Sequence, residues 1–324
     1  MNTKTPMFIL LLVATTFFVL ITTNSMFAWM MMELNMLAFT PLICQKKSTT
    51  EADTSLKYLI PQSFASSLFM VSIIMTTLNP YSNILSSAAL LMKAGSVPLH
   101  TWFPCVMRSI NMMAGITLMT WQKIIPLFLL SIPQLSFKPL VLTLAAMSAL
   151  WGSIAGLNQT NIISLLTFSS IAHSSWLISA SLLSVKTLFM YLTSYTLTLI
   201  PIFMIINYSS MKTHKTIMCM GMQKYQQITL TLSLLSLAGL PPLAMFSNKI
   251  PVIILMTKAM TTLAFMLIGA AISLCFYVII VFTTMFNLPE SPKPTNTKFV
   301  MKLACVMTAL LQFSTLPLML YSLP

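Results

Sequence analysis

The sequence predicts an all-α polytopic membrane protein, and three observations predict it. Of 324 residues, 57% are hydrophobic and only 6% are charged. Soluble domains carry about 25% charged residues, so this chain lacks the material for a water-facing surface. The mean hydropathy is +0.89, and the apolar runs are long and continuous. That pattern predicts helices, because a membrane barrel shows strands of ~10 residues with alternating polarity. The third observation is the sign of the charge: 17 Lys and Arg stand against 4 Asp and Glu. In a soluble chain such an excess suggests nucleic acid. Here the cations lie mostly in short segments between apolar runs, where they set topology, and no nucleic-acid partner is expected.

A span needs about 20 mainly apolar residues. Eleven segments meet that need within a single integral membrane domain over 1–324: 6–24, 26–44, 58–78, 82–107, 112–132, 138–157, 161–183, 186–208, 227–257, 259–287 and 300–321. The first follows Lys4 and has no small-residue cleavage site, so it reads as a span and not a removable leader. The second carries Glu33 at its middle, and the third opens behind Lys57. The fourth holds Lys93, then Gly95 and Pro98. Proline removes a helix bond and clashes with the preceding turn, so a break is predicted near Gly95–Pro98. The fifth contains Lys123 in an otherwise apolar run. The sixth starts at Lys138, which reads as an anchor. The seventh places His173 among Ser169, Ser170, Ser174 and Ser175. The eighth starts at another anchor, Lys186. The ninth is too long for one straight helix and contains Gly239, Pro241, Pro242 and Pro251, which predicts a second break near Gly239–Pro242, ahead of Lys249. The tenth carries no charged residue, and the eleventh carries only Lys302, near its start.

The cations test this count. With the N-terminus on one side, that side receives Lys4, Lys46, Lys47, Lys57, Arg108, Lys212, Lys215, Lys224, Lys293, Lys298 and Lys302, eleven in all. The opposite side receives only Lys138, Lys186 and Lys258, and three more lysines fall inside spans. The asymmetry predicts the N-terminus on the positive, inner side and the C-terminus opposite. Two interrupted spans, five apart, suggest the inverted repeats of secondary transporters, over spans 4–8 and a remodelled 9–11.

Several chemistries are excluded. There are seven glycines and no phosphate-binding Gly-rich loop, so nucleotide binding is not expected. The five cysteines, Cys44, Cys105, Cys219, Cys275 and Cys305, show no metal spacing and read as apolar fillers. No metal site and no redox centre are expected in this chain.

The informative residues are the ionisable ones at membrane depth: Glu33, Lys93, Lys123, His173 and Lys249. One charge at the bilayer centre costs roughly 2.5–3.5 kcal/mol on an insertion scale, so such groups face the bundle interior, pair, or meet water. Glu33 is the only acid within the predicted spans, and its economical partner is Lys93. Lys123 and Lys249 have no such acid. A lysine held where charge is costly is suited to take up and release a proton. Together the five groups read as a proton path, with Ser96, Thr120 and the serines around His173 holding water between them. A buried Lys–Glu pair also fixes helix packing, His173 also suits a serine-bonded core position, and Lys249 also has the length to snorkel. Lys123, alone in a long apolar run, resists a bland reading best.

The strings W-x-x-x-E-L-N-M-L-A-F-x-P from Trp29, K-Y-x-x-x-Q-x-x-A-S from Lys57 and K-x-G-x-x-P-x-H-x-W-x-P from Lys93 occur in order. T-W-Q-K-x-x-P from Thr120, G-L-N-Q-T from Gly156, S-S-I-x-H-x-x-W from Ser169 and L-S-L-x-G-L-P-P-L-x-x-F-x-x-K from Leu235 follow. On these the chain resembles the NADH-ubiquinone oxidoreductase chain 2 family, the mitochondrially encoded antiporter-like subunits of respiratory complex I. The resemblance implies an eleven-helix, reduced antiporter fold with Glu33, Lys93, Lys123 and Lys249 at the proton-path positions. It implies the mitochondrial inner membrane, with the N-terminus toward the matrix and the C-terminus toward the intermembrane space. It implies other complex I membrane subunits as partners, both adjacent antiporter-like chains and small membrane chains. NAD, FMN, iron–sulfur clusters and ubiquinone would be used by the whole complex and none by this chain. Departures from the family pattern are Cys105, where many relatives carry glutamate, and Asp53, where they carry glutamate before the Lys-Tyr pair. The alternative reading is a stand-alone cation/proton antiporter, which would want more carboxylates at depth. A transport-silent scaffold would leave Lys123 and Lys249 unexplained.

Overall fold

The structure is a computed structural model that describes residues 5–45, 48–76, 81–209, 224–241 and 243–286. Every regular element among the described residues is helical, as the apolar runs predict. In chain order these are α1 (Thr5–Ile21), α2 (Ser25–Ile43), α3 (Thr49–Met75), α4 (Ser82–Ala94), α5 (Trp102–Met107) and α6 (Met112–Met119). A single 3-10 turn, Trp121–Lys123, joins α6 to α7 (Ile124–Leu130). Then come α8 (Lys138–Leu157), α9 (Ile162–Leu183) and α10 (Val185–Ser209). The last are α11 (Lys224–Ala238), α12 (Ala244–Leu255) and α13 (Met260–Phe286).

Seven helices among the described residues are long and apolar enough to cross a membrane: α2, α3, the α6–α7 run, α8, α9, α10 and α13. Helix α1 is apolar but has 17 residues. The pairs α4–α5 and α11–α12 are the two broken segments. The eleventh predicted span, 300–321, lies outside the described residues, so the count of eleven is not established. One boundary differs from expectation. Helix α3 begins nine residues before the predicted 58, because the Ser48 hydroxyl caps it by accepting the Glu51 N–H at 3.3 Å. Hydropathy alone does not see two polar turns of helix.

The chain forms two compact units, Met1–Ser148 and Ala149–Pro324. In the first, α2 packs between α1 and α3, while α3 also holds α4 and α5, and α7 lies against α4 and α1. In the second, α10 packs on α9, α11 and α12, and α13 packs on α9 and α11. Helix α9 is buried nearly all round. It is also serine-rich, and each buried serine hydroxyl donates to a carbonyl one turn back, as Ser170 does to Thr167 at 2.8 Å. A polar helix interior is thereby satisfied without water.

Close approach in the second unit depends on glycine. A Cβ built on Gly152 of α8 would lie 2.7 Å from the Ala172 nitrogen and 2.9 Å from the Phe168 oxygen, both backbone atoms of α9. A Cβ on Gly269 of α13 would lie 2.7 Å from the Ala149 oxygen. Lipid offers no hydrophobic drive to bring helices together, so backbone-to-backbone contact at small residues does that work. Gly152→Val is therefore expected to separate α8 from α9 and prevent accumulation of the chain in the membrane. Immunoblotting of membranes checks this, and wild-type abundance would contradict it.

The two breaks share one local geometry. Gly95 (φ 72°) and Gly239 (φ 83°) both take the left-handed conformation that ends a helix. At the first, Gly95 N–H donates to the Met92 oxygen and Ser96 N–H to the Leu91 oxygen, both at 3.1 Å. At the second, Gly239 N–H donates to the Ser236 oxygen at 2.9 Å and Leu240 N–H to the Leu235 oxygen at 3.4 Å. The backbone match exposes a sequence match, L-x-x-A-G-x-x-P-L, running Leu91, Ala94, Gly95, Pro98, Leu99 and again Leu235, Ala238, Gly239, Pro242, Leu243.

Candidate functional site

Lys93 stands in the last turn of α4, just before the break. Breaking the helix leaves carbonyls without helical partners. Gln62 Nε2 of α3 donates to the Lys93 oxygen at 3.3 Å, and Trp102 Nε1 of α5 donates to the Met92 oxygen at 3.3 Å. Both halves of the interrupted span are thus tied by side chains, and the Lys93 amine is left for other work.

Lys123 sits in the 3-10 turn. Pro126, three residues on, has no N–H to give the Gln122 carbonyl, so the α-helical pattern is interrupted there. The Lys123 side chain is 3% exposed, with Nζ 5.5 Å from the centre of the Phe103 ring. Lys93 and Lys123 line one cavity of about 30 Å³ together with Asn35, Tyr58, Gln62 and Gln122. A water needs about 10–15 Å³ measured this way, so the cavity accommodates about two. Glu33, half-buried on α2, makes no ion pair with Lys93 within 4.0 Å. It remains the acid whose field acts on Lys93. The expected pair is therefore an electrostatic partnership at a distance and not a direct salt bridge.

In the second unit, His173 is 4% exposed at the middle of α9. Its Nδ1 and the Tyr191 hydroxyl of α10 are 3.0 Å apart. The partner expected for this histidine was a serine, but the neighbouring serine hydroxyls turn to their own helix. Lys249 of α12 is 7% exposed, with Nζ 5.5 Å from the Trp176 ring centre. It packs inward and does not snorkel. Its ammonium lies against Gly239, where a Cβ would stand 2.7 Å from Nζ. His173, Trp176, Lys249 and Ser273 line a cavity of about 10 Å³, room for about one water.

The structure thus gathers Glu33, Lys93 and Lys123 in the first unit and His173 and Lys249 in the second. Tyr58, Gln62 and Tyr191 belong to these clusters, and as uncharged side chains they carry no cost signal in the sequence, although Tyr58 and Gln62 fall in the K-Y-x-x-x-Q motif. His100, just past the first break, is buried and turns its ring nitrogen to the Pro98 oxygen at 3.3 Å. Cys105 and Cys275 are exposed on their units and fill no core. Among the described residues no group of three His, Cys, Asp or Glu is placed to hold a metal ion.

The family model described as NADH:quinone oxidoreductase/Mrp antiporter, transmembrane, matches residues 76–276. NADH-ubiquinone oxidoreductase chain 2 of Lumbricus terrestris is 34% identical over 284 residues, 85% of this chain and 84% of that one. The chain belongs to the NADH-ubiquinone oxidoreductase chain 2 family. The fold agrees with this membership. A chain of respiratory complex I from Thermus thermophilus superposes with a TM-score of 0.85 at 20% identity, over 98% of this chain and 79% of that one. A chain of the Mrp complex from Dietzia sp. superposes with a TM-score of 0.72 at 15% identity, over 90% of this chain and 62% of its own length.

Proposed function

We propose that this chain is a proton-translocating membrane subunit of NADH:ubiquinone oxidoreductase, and that Glu33, Lys93, Lys123, His173 and Lys249 carry its proton path. The observation that carries the reading is the pairing of Lys93 and Lys123 on one water-sized cavity, with the Glu33 charge acting on Lys93. Charge placed on one lysine raises the cost of charge on the other. Two unit charges ~10 Å apart interact by roughly 1.7 kcal/mol at an effective dielectric of about 20. Moving one proton against 100 mV requires about 2.3 kcal/mol. The two magnitudes are of one order, so a change in the Glu33–Lys93 attraction supplies a large part of the work of moving a proton between sites. The cavity water carries it from Lys93 to Lys123, and in the second unit the His173–Tyr191 pair and Lys249 pass it on.

The chain acts as one integral membrane domain in the mitochondrial inner membrane. Its N-terminus faces the matrix and its C-terminus the intermembrane space, following the cation asymmetry. It holds no redox centre. NADH oxidation and quinone reduction, with their FMN and iron–sulfur clusters, occur in other chains of the complex. Its partners are adjacent antiporter-like chains and small membrane subunits.

The second reading, a stand-alone cation/proton antiporter, draws on the Mrp likeness. Extraction of the native membrane in mild detergent, with native gel separation and an in-gel NADH stain, distinguishes them. Co-migration of this chain with the NADH-oxidising complex is expected. Migration as a small particle without that activity would overturn the proposal and make cation-driven proton flux the next assay.

A further inference from the structure

Glu51 is not among the residues that sequence cost arguments select, because it lies ahead of the predicted third span. In the structure it stands in the first turn of α3 and is 4% exposed. Its Oε1 accepts a hydrogen bond of 2.9 Å from Asn111 Nδ2, at the start of α6. Asp53, two residues on, is exposed. One acid of the segment is thus turned into the protein while the other faces out.

The buried face of α3 continues from Glu51 through Thr54 and Tyr58 to Gln62. These positions are spaced by three, four and four residues and lie on one side of a helix. Tyr58 and Gln62 line the Lys93–Lys123 cavity. Tyr58 is 2% exposed, and no described residue hydrogen-bonds its hydroxyl. From Glu51 to Tyr58 the helix rises about 10 Å. A helical tyrosine leans back over the preceding turn, toward the Glu51 end of the helix.

We infer that Glu51 is the proton-collecting acid of the first unit, gathering protons at the positive face and passing them along α3 to the cavity. This rests on the proton-translocation reading above. The transfer conserves atoms: the Glu51 carboxyl releases a proton to water, Tyr58 accepts one at its oxygen as it donates its own onward, and a neutral lysine amine takes up the arriving proton. Glu51 ends as a carboxylate, ready to be recharged from the aqueous side.

The test uses the assembled enzyme in sealed vesicles and reads protons moved per NADH oxidised. Glu51→Gln keeps an oxygen for Asn111 but carries no exchangeable acid proton, and is expected to lower the ratio by this chain's whole share, to the same value as Lys123→Met. A normal ratio in Glu51→Gln would overturn the inference and leave Glu51 as a helix-end tie. Should Glu51→Gln fail to assemble, Tyr58→Phe decides, since it removes one hydroxyl and keeps the ring packing on Phe39 and Trp102. An unchanged ratio there would overturn the inference equally. Lys123→Met in the same assay separates the two readings. If it lowers the ratio while Glu51→Gln and Tyr58→Phe do not, only the Glu51 route falls. If it too is without effect, the underlying path falls.

Discussion

Lys123→Met is expected to abolish this subunit's proton transport while the enzyme still assembles and oxidises NADH. Methionine is of similar length, flexible and apolar, so it fills the space beside Phe103 that the lysine stem occupies. Removing a charge from a site that is 3% exposed also removes a desolvation cost, so folding should not suffer. What is lost is the amine, proposed above as a proton carrier, on the cavity shared with Lys93. A positioned acid–base group contributes typically 10²–10⁴-fold to a proton-transfer step, so flux along this path should fall by about two orders of magnitude or more. Fluorescence-quench recording of proton uptake against NADH consumption, in reconstituted vesicles, measures it. A normal proton-to-electron ratio would remove Lys123 from the path.

The second large effect is expected at Gly239→Ala. Gly239 has φ 83°, where a side chain costs about 1–2 kcal/mol. The added methyl would also stand 2.7 Å from Lys249 Nζ, so the ammonium must leave its place. Gly95→Ala is the matched control. Its φ of 72° imposes the same backbone cost, but its Cβ would meet Trp102 and Phe103 at 3.5 Å and 3.6 Å, ordinary contact distances. Both variants should lose a little thermal stability. Gly239→Ala alone should lose most of its proton transport. Equal transport in the two variants would mean that the Lys249 position against the break is of no consequence.

Both breaks were legible because Gly and Pro act on the backbone where they stand. Lys123 was legible because a lone cation in an apolar run has few harmless explanations. The Glu33–Lys93 link was expected from scarcity of acids, and the structure keeps the link but not the contact. A serine partner is one of the readings open for His173, because serines flank it in sequence. Adjacent residues on a helix do not face one another, and the hydroxyl that reaches the ring comes from Tyr191 on another helix. Glu51 was missed because the hydropathy window began at the apolar part of α3, although the Ser48 and Glu51 spacing carries a helix-start signal.

By itself the sequence determined the helical membrane class, the position of both interruptions and the charges that hydrocarbon cannot hold unaided. Each of these follows from a local property: the length of an apolar run, a missing N–H, or the cost of one ion out of water. Only the tertiary structure decided that Lys93 and Lys123 share a water-sized cavity, that Lys249 rests on the bare face of Gly239, and that Glu51, not Asp53, turns inward. Those outcomes depend on which helices lie side by side and how closely their backbones approach, and contacts between residues far apart in the chain leave no mark in its local composition.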